Sequence, residues 1–140
     1  MRRKNFRVKP LTPISAAIRI VRMNGIFVQS RETTGHVHDL GPDGIRFGTK
    51  LTFPLHVECV LEIRLLIAQT EYQFKGHIVW GVEGEHGNQY GVRLLHSGNN
   101  RRRFAQHLYD WALMERPAVR RSIELYELAV SKRSDVTHGR

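Results

Sequence analysis

Residues 57–67 read VECVLEIRLLI, and their alternation decides the fold. Val57, Cys59, Leu61, Ile63, Leu65 and Ile67 fall on one side of an extended chain, with Glu58, Glu62 and Arg64 on the other. A period of two marks a strand with one buried and one wet face. The same period recurs on both sides. EYQFKGHIVW (71–80) groups Tyr72, Phe74, Ile78 and Trp80, and NQYGVRLL (88–95) alternates again. Upstream, ISAAIRIVR (14–22) lines up Ile14, Ala16, Ile18 and Ile20. Asn24-Gly25 then signals a tight hairpin, with IFVQ as its return strand. A short strand over 34–40 enters DLGPDG (39–44), and GIRF resumes extended structure. Short turns containing Gly and Asn join these strands, and no helical pattern intervenes. The sequence therefore predicts a mostly β chain, built as a small antiparallel barrel or sandwich.

The period changes after SGNN (97–100). Phe104, Leu108, Trp111 and Ala112 fall at helical spacing over 101–115, and Pro117 interrupts the pattern. A second helical stretch over 118–132 carries Val119, Ile123, Tyr126 and Val130 on one stripe, which needs an apolar neighbour on the barrel or on a partner. The final SDVTHGR reads as a frayed tail. The expected organisation is a barrel with a basic arm and a closing helix over 1–115, then an additional helix and flexible tail over 116–140.

The 140 residues include 22 Lys and Arg against 13 Asp and Glu, a formal net charge of +9. Such a surface attracts anions: nucleic acid, acidic lipid, nucleotides or acidic partners. The excess is clustered. Arg2, Arg3, Lys4, Arg7 and Lys9 crowd the first nine residues, and no acidic residue is among them. Other clusters are Arg101–Arg103 and Arg116, Arg120 and Arg121. No apolar run reaches membrane-span length, and no apolar export-signal core follows the basic start. With Cys59 the lone cysteine, no intramolecular disulfide is possible, and a reducing cytoplasm is the expected location.

Catalytic chemistry finds no foothold: there is no G-x-S-x-G, P-loop or H-E-x-x-H. Cys59 lies on the apolar face of the best strand, as an inert buried thiol would. His36 and His38 share a strand face in GHVHD, with Asp39 opposite, but no third ligand converges at an informative spacing, so no metal is expected.

Arg3 and Arg7 are spaced R-x-x-x-R, and Asp39 to Gly44 is spaced D-x-x-x-x-G between two strands. HIVW ends one later strand, and YGVRL (90–94) lies on another before the helix. In this order and spacing, residues 2–112 resemble the PilZ domain family, whose signature is R-x-x-x-R followed by [D/N]-x-S-x-x-G. The resemblance implies a split β-barrel closed by a C-terminal helix, and a non-catalytic bacterial receptor for cyclic di-GMP. It implies a site of Arg3, Arg7, Asp39, Gly41 and Gly44, to which chemistry alone adds Arg2 and Arg46. Arginine forks onto phosphate or a guanine edge and stacks on base planes, and Asp39 accepts from a guanine. Gly44 lets the backbone approach a ligand closely. The N-terminal arm would order over the ligand and pass the signal to a downstream protein. Two other classes stay open. One is a PilZ-like interaction adaptor without nucleotide. The other is a basic β-barrel that binds nucleic acid; its aromatics fit that poorly, since few alternate with surface Lys or Arg.

One position departs from the motif: Gly41 stands where the family has serine. Losing a hydroxyl donor costs about 1–3 kcal/mol. On sequence grounds Gly41→Ser should restore up to about tenfold in affinity, provided serine tolerates the backbone there.

Overall fold

The computed structural model describes residues 6–115. Arg2, Arg3 and the helix expected over 118–132 lie outside the described residues. Seven strands precede one helix: β1 (Ile14–Met23), β2 (Ile26–Phe27), β3 (Thr33–Gly41), β4 (Gly44–Thr49), β5 (Cys59–Ile67), β6 (Thr70–Gly84), β7 (Gly87–Leu95) and α1 (Asn100–Glu115). All pairings are antiparallel, in the order β2-β1-β3-β4-β7-β6-β5. β1 also pairs with β5, which closes six strands into a barrel and leaves β2 as an extra strand beside β1.

The core follows the predicted alternation. Leu61, Ile63, Leu65 and Ile67 of β5 point inward with Ile18 of β1, and Cys59 is buried with them. Burial, and secondarily Glu58, pushes the Cys59 thiol up to about 11, so it stays protonated at neutral pH. The polar residues of β5 also meet partners. Arg19 Nε donates to Glu62 Oε1 at 2.8 Å, Arg22 Nη2 to Glu58 Oε2 at 3.1 Å, and Arg64 pairs with Glu32. The first two pairs stitch the β1–β5 seam, and the third ties β5 to the chain entering β3.

Asn24 and Gly25 both hold positive φ, as a two-residue hairpin requires. The β5–β6 connection differs from the expected Gly- or Asn-containing turn. It is Ala68-Gln69, both at positive φ, held there by eight register pairs between the flanking strands. β6 and β7 also extend beyond their predicted ends, through GVEG to a tight connection at Glu85-His86. Tyr90 fastens the 50–58 segment by accepting from Phe53 N–H at 2.7 Å. α1 seats Phe104 and Leu108 in the core, where Phe104 meets Tyr72 and Phe74 edge-on at 5.0 and 4.8 Å. No described helix is long and apolar enough to cross a membrane.

Candidate functional site

Period-two reading places Asp39 on the face opposite His36 and His38. The structure corrects this. The β3–β4 register shifts between Val37 and Asp39, so His38 is an extra residue in the ladder. Val37 and Leu40 are both fully buried, and His38 and Asp39 between them both turn outward. A bulge re-aims every side chain beyond it. Here it delivers Asp39 to the outer barrel face, opposite Arg46. His38 sits at the bulge, and burial, then Arg46, lowers its pKa.

A second bulge does the same for Trp80. The β6–β7 register shifts between Ile78 and Trp80, so Trp80 leaves the apolar face assigned to it by alternation. It is 42% exposed and lies over Gly91, where any Cβ would overlap the indole. The glycine of YGV is thus a socket for the tryptophan of HIVW. Sequence reasoning took both for structural positions; each becomes legible as a site residue only once the bulge is known.

The predicted loop 39–44 is mostly strand. Gly41 pairs with Gly44, and only Pro42-Asp43 makes the turn. The turn is docked on the end of β7: Leu94 N–H donates to the Asp43 carbonyl at 2.8 Å. His96 Nε2 lies 2.7 Å from the Pro42 carbonyl oxygen; a carbonyl only accepts, so Nε2 carries the hydrogen. Arg101 of α1 forks onto Asp43, Nε to Oδ1 at 2.6 Å and Nη2 to Oδ2 at 2.7 Å. That bond holds the Asp43 carboxyl below its usual range.

The basic arm reaches this hairpin from the other side. Val8 bridges to Leu40 through two backbone bonds, Val8 N–H to Leu40 O at 2.7 Å and Leu40 N–H to Val8 O at 3.0 Å. Val8 is buried and Arg7 beside it is exposed, so the guanidinium falls on the outer face. Arg7 Nε donates to Asp39 Oδ1 at 2.8 Å, and Nη1 donates to the Gly44 carbonyl at 3.3 Å. Arg46 Nε lies 3.5 Å from Asp39 Oδ2, and its Nη1 donates to Gln89 Oε1 at 3.0 Å. Asp39, 14% exposed at its side chain, is held between two arginines.

Arg7, Asp39, Gly44 and Arg46 line an open depression of about 420 Å³, with Trp80, Gly91 and Arg93 on its far side. Two larger hollows exist, one between β6, β7 and α1 and one beside His36 and Asn88. The shallower depression is the better candidate, because cationic side chains, a carboxylate and an aromatic converge there around glycines. Gly44 is favoured by closeness, not by positive φ: a Cβ would stand 3.1 Å from the Val92 carbonyl and 3.2 Å from Arg7 Nη1, each a tight contact that would press on the site. Gly41 also lies outside the positive-φ region, so its backbone would accept serine. The space would not, since a Cβ would stand 2.5 Å from the Phe6 carbonyl oxygen. Among the described residues no three His, Cys, Asp or Glu side chains gather as a metal site.

Of the expected site residues, the structure brings together Arg7, Asp39, Gly41, Gly44 and Arg46; Arg2 and Arg3 lie outside the described residues. Sequence reasoning missed Trp80, Gly91 and Arg93. The fold is similar to that of the PilZ domain of YcgR from Escherichia coli, solved with c-di-GMP: 15% identity, TM-score 0.57, covering 89% of this chain and 98% of that one. It is also similar to MrkH from K. pneumonia in its apo state (17% identity, TM-score 0.59, 81% of this chain and 53% of that one). A third similar structure is the inhibitor of motility MotI/DgrA from Bacillus subtilis (14% identity, TM-score 0.58, 83% and 54%). This chain spans about half the length of the latter two. No curated protein sequence matches it. At these identities the structures speak for the fold alone. The PilZ domain profile, however, matches residues 1–110, and the arginine, aspartate and glycine of that motif meet at one depression on the barrel face; the chain belongs to the PilZ domain family.

Proposed function

We propose that this PilZ domain is a non-catalytic, cytoplasmic receptor for cyclic di-GMP that acts on a downstream protein. One observation carries the reading: Arg7 and Asp39, 32 residues apart in sequence, meet at 2.8 Å in a depression that also holds Arg46, Arg93 and Trp80. The ligand presents two phosphates and two guanines. Arg7, Arg46 and Arg93 supply guanidinium groups for phosphates and base edges. Asp39 accepts from a guanine edge once an arginine has turned from it to the ligand. Trp80 offers an aromatic face to a base. Arg2 and Arg3 belong to the same proposal through the motif alone.

The arm is the proposed carrier of the signal. From Phe6 to Val8 it is held by the protein's own contacts, to Leu40 through Val8, to Asp39 and Gly44 through Arg7, and to Tyr109 of α1 through Phe6. A ligand that draws Arg7 away from Asp39 therefore pulls on a segment already seated against α1.

A second reading has its own support. Asp39 already has two internal cationic partners, and position 41 lacks the hydroxyl, as suits an adaptor that has given up the nucleotide. Titration calorimetry with cyclic di-GMP, GMP and a mixed-sequence oligonucleotide separates the classes. The receptor gives saturable heat with cyclic di-GMP alone, and the adaptor gives none with any of the three. Binding to the oligonucleotide that collapses with salt would make this a nucleic-acid-binding barrel instead.

A further inference from the structure

We infer that Gly41 is a positioning residue for the N-terminal arm: its missing side chain leaves the space in which the Phe6 carbonyl sits, and this seats Arg7 in the site. A Cβ at position 41 would stand 2.5 Å from Phe6 O, 3.1 Å from Arg7 Cδ and 3.3 Å from Arg7 Nη1. The first distance is to backbone, which cannot swing aside as a side-chain tip can. Any residue larger than glycine must therefore lift the arm or push β3 back. β3 cannot retreat easily, because Leu40 and Ile45 are fully buried on either side of the turn and the turn is pinned to Leu94, His96 and Arg101. The arm is the weaker side. Val8 is buried in the core, but the rest of the arm's hold is one two-bond bridge, the contacts of Arg7 and the edge-on packing of half-buried Phe6 on Tyr109, with ring centroids 5.8 Å apart, against the full ladder and three-point pin that fix β3.

What the sequence presents as a lost serine is, in three dimensions, a vacated position that the arm fills. Phe6, Arg7 and Val8 then form one strap. Phe6 reaches α1, Arg7 reaches Asp39 and Gly44, and Val8 locks the strap to Leu40. Arg7 and Gly41 act as a matched pair, and restoring the serine alone breaks the match. This reverses the sequence-based expectation for Gly41→Ser.

The test uses the full chain as parent, Gly41→Ala and Gly41→Ser, with hydrogen exchange read first, before any nucleotide is added. The Val8 and Leu40 amides bond to each other's carbonyls across the bridge, so their exchange reports the strap. Both should exchange about tenfold faster or more in the two variants, while amides of β5 keep their protection. The Phe6→Ala variant, which changes no residue of the barrel strands and truncates only the arm's half-buried ring, should loosen the same two amides and guards against misfolding of the Gly41 variants. Cyclic di-GMP affinity, read second, should fall about tenfold in Gly41→Ser. Unchanged exchange at Val8 and Leu40, or tighter binding by Gly41→Ser, overturns the inference. The second readout rests on the proposed receptor function and the first does not. Faster exchange in a protein whose parent ignores cyclic di-GMP upholds the strap and removes only the receptor.

Discussion

The barrel carries arginine–carboxylate pairs in two places, and they are built differently. At the β1–β5 seam, Glu62 accepts from Arg19 through one oxygen and from Gln73 through the other, at 2.8 and 2.7 Å. Its side chain is 8% exposed, and Arg19 and Glu62 stand directly opposite each other in an unbroken stretch of register. At the candidate site, Asp39 is also shared by two partners, Arg7 and Arg46. There, however, the ladder is broken by a bulge, the surroundings are Gly44 and Gly91, and a tryptophan lies exposed. The chemistry of the pair is the same. Its setting distinguishes a structural ion pair from a binding one: a regular ladder saturates the carboxylate, and a bulge beside glycines leaves room for something else.

The sharpest way to break the comparison is to truncate one arginine in each place. Arg7→Ala removes an ion pair whose arginine is half exposed, so stability should fall by less than about 1 kcal/mol. Cyclic di-GMP affinity should fall about a hundredfold, through the loss of charge-assisted bonds, as read by calorimetry. Arg3→Ala should do the same on motif grounds. At the seam the pattern inverts. Glu62→Ala leaves Arg19 and Gln73 without their acceptor and should cost about 1–2 kcal/mol in denaturant unfolding, with affinity unchanged. If Arg7→Ala binds like the parent, the site has been placed on the wrong side of this comparison.

Much of this was legible in the sequence, and the rest failed for a physical reason. Period two found β1, β5, β6 and β7 and the inward residues of β5, because a half-buried ladder imposes that period. The same rule put Asp39 and Trp80 on the wrong faces, because one extra residue in a ladder inverts everything after it and leaves no compositional mark. Ala68-Gln69 was equally silent: neighbouring strands hold two ordinary residues in a conformation that turn chemistry assigns to glycine or asparagine. Arg7, Asp39 and Gly44 were visible through spacing. Gly41 was visible only as a missing hydroxyl, since the Phe6 carbonyl that fills its place comes from another part of the chain.

Trp80 and Gly91 sharpen the comparison from inside the site. Trp80→Ala removes an exposed ring and should cost little stability. If a base stacks there, affinity should fall about tenfold, within the 1–3 kcal/mol of a base–aromatic contact. Gly91→Ala should imitate it by a different route, since the new methyl displaces the indole without removing it. Calorimetry on both variants and the pair checks this. Equal single effects and no further loss in the double variant would place both residues in one contact.

The smallest expected effect concerns Asp43, the carboxylate that ties the site hairpin to α1. Its hydrogen bonds from Arg101 lower its pKa in the folded chain. A carboxylate whose folded pKa is depressed binds fewer protons folded than unfolded. Its contribution to stability is therefore full at neutral pH, begins to fade as pH falls to about 4, and is gone once pH drops below the folded value. The pair is open to water, with Asp43 58% and Arg101 35% exposed at their side chains, so screening keeps the effect modest. Asp43→Asn should lower the melting temperature slightly at pH 7, and the gap from the parent should narrow as pH falls below about 4. Asp43 lines the same depression as Asp39, but both its carboxylate oxygens are taken by Arg101 of α1, so its loss should weaken cyclic di-GMP binding only through a looser hairpin. An affinity loss as large as that of Arg7→Ala would move Asp43 into the binding set. A melting-temperature gap that does not narrow at all in acid would show that the substitution disturbs the turn itself, and not only the charge on it.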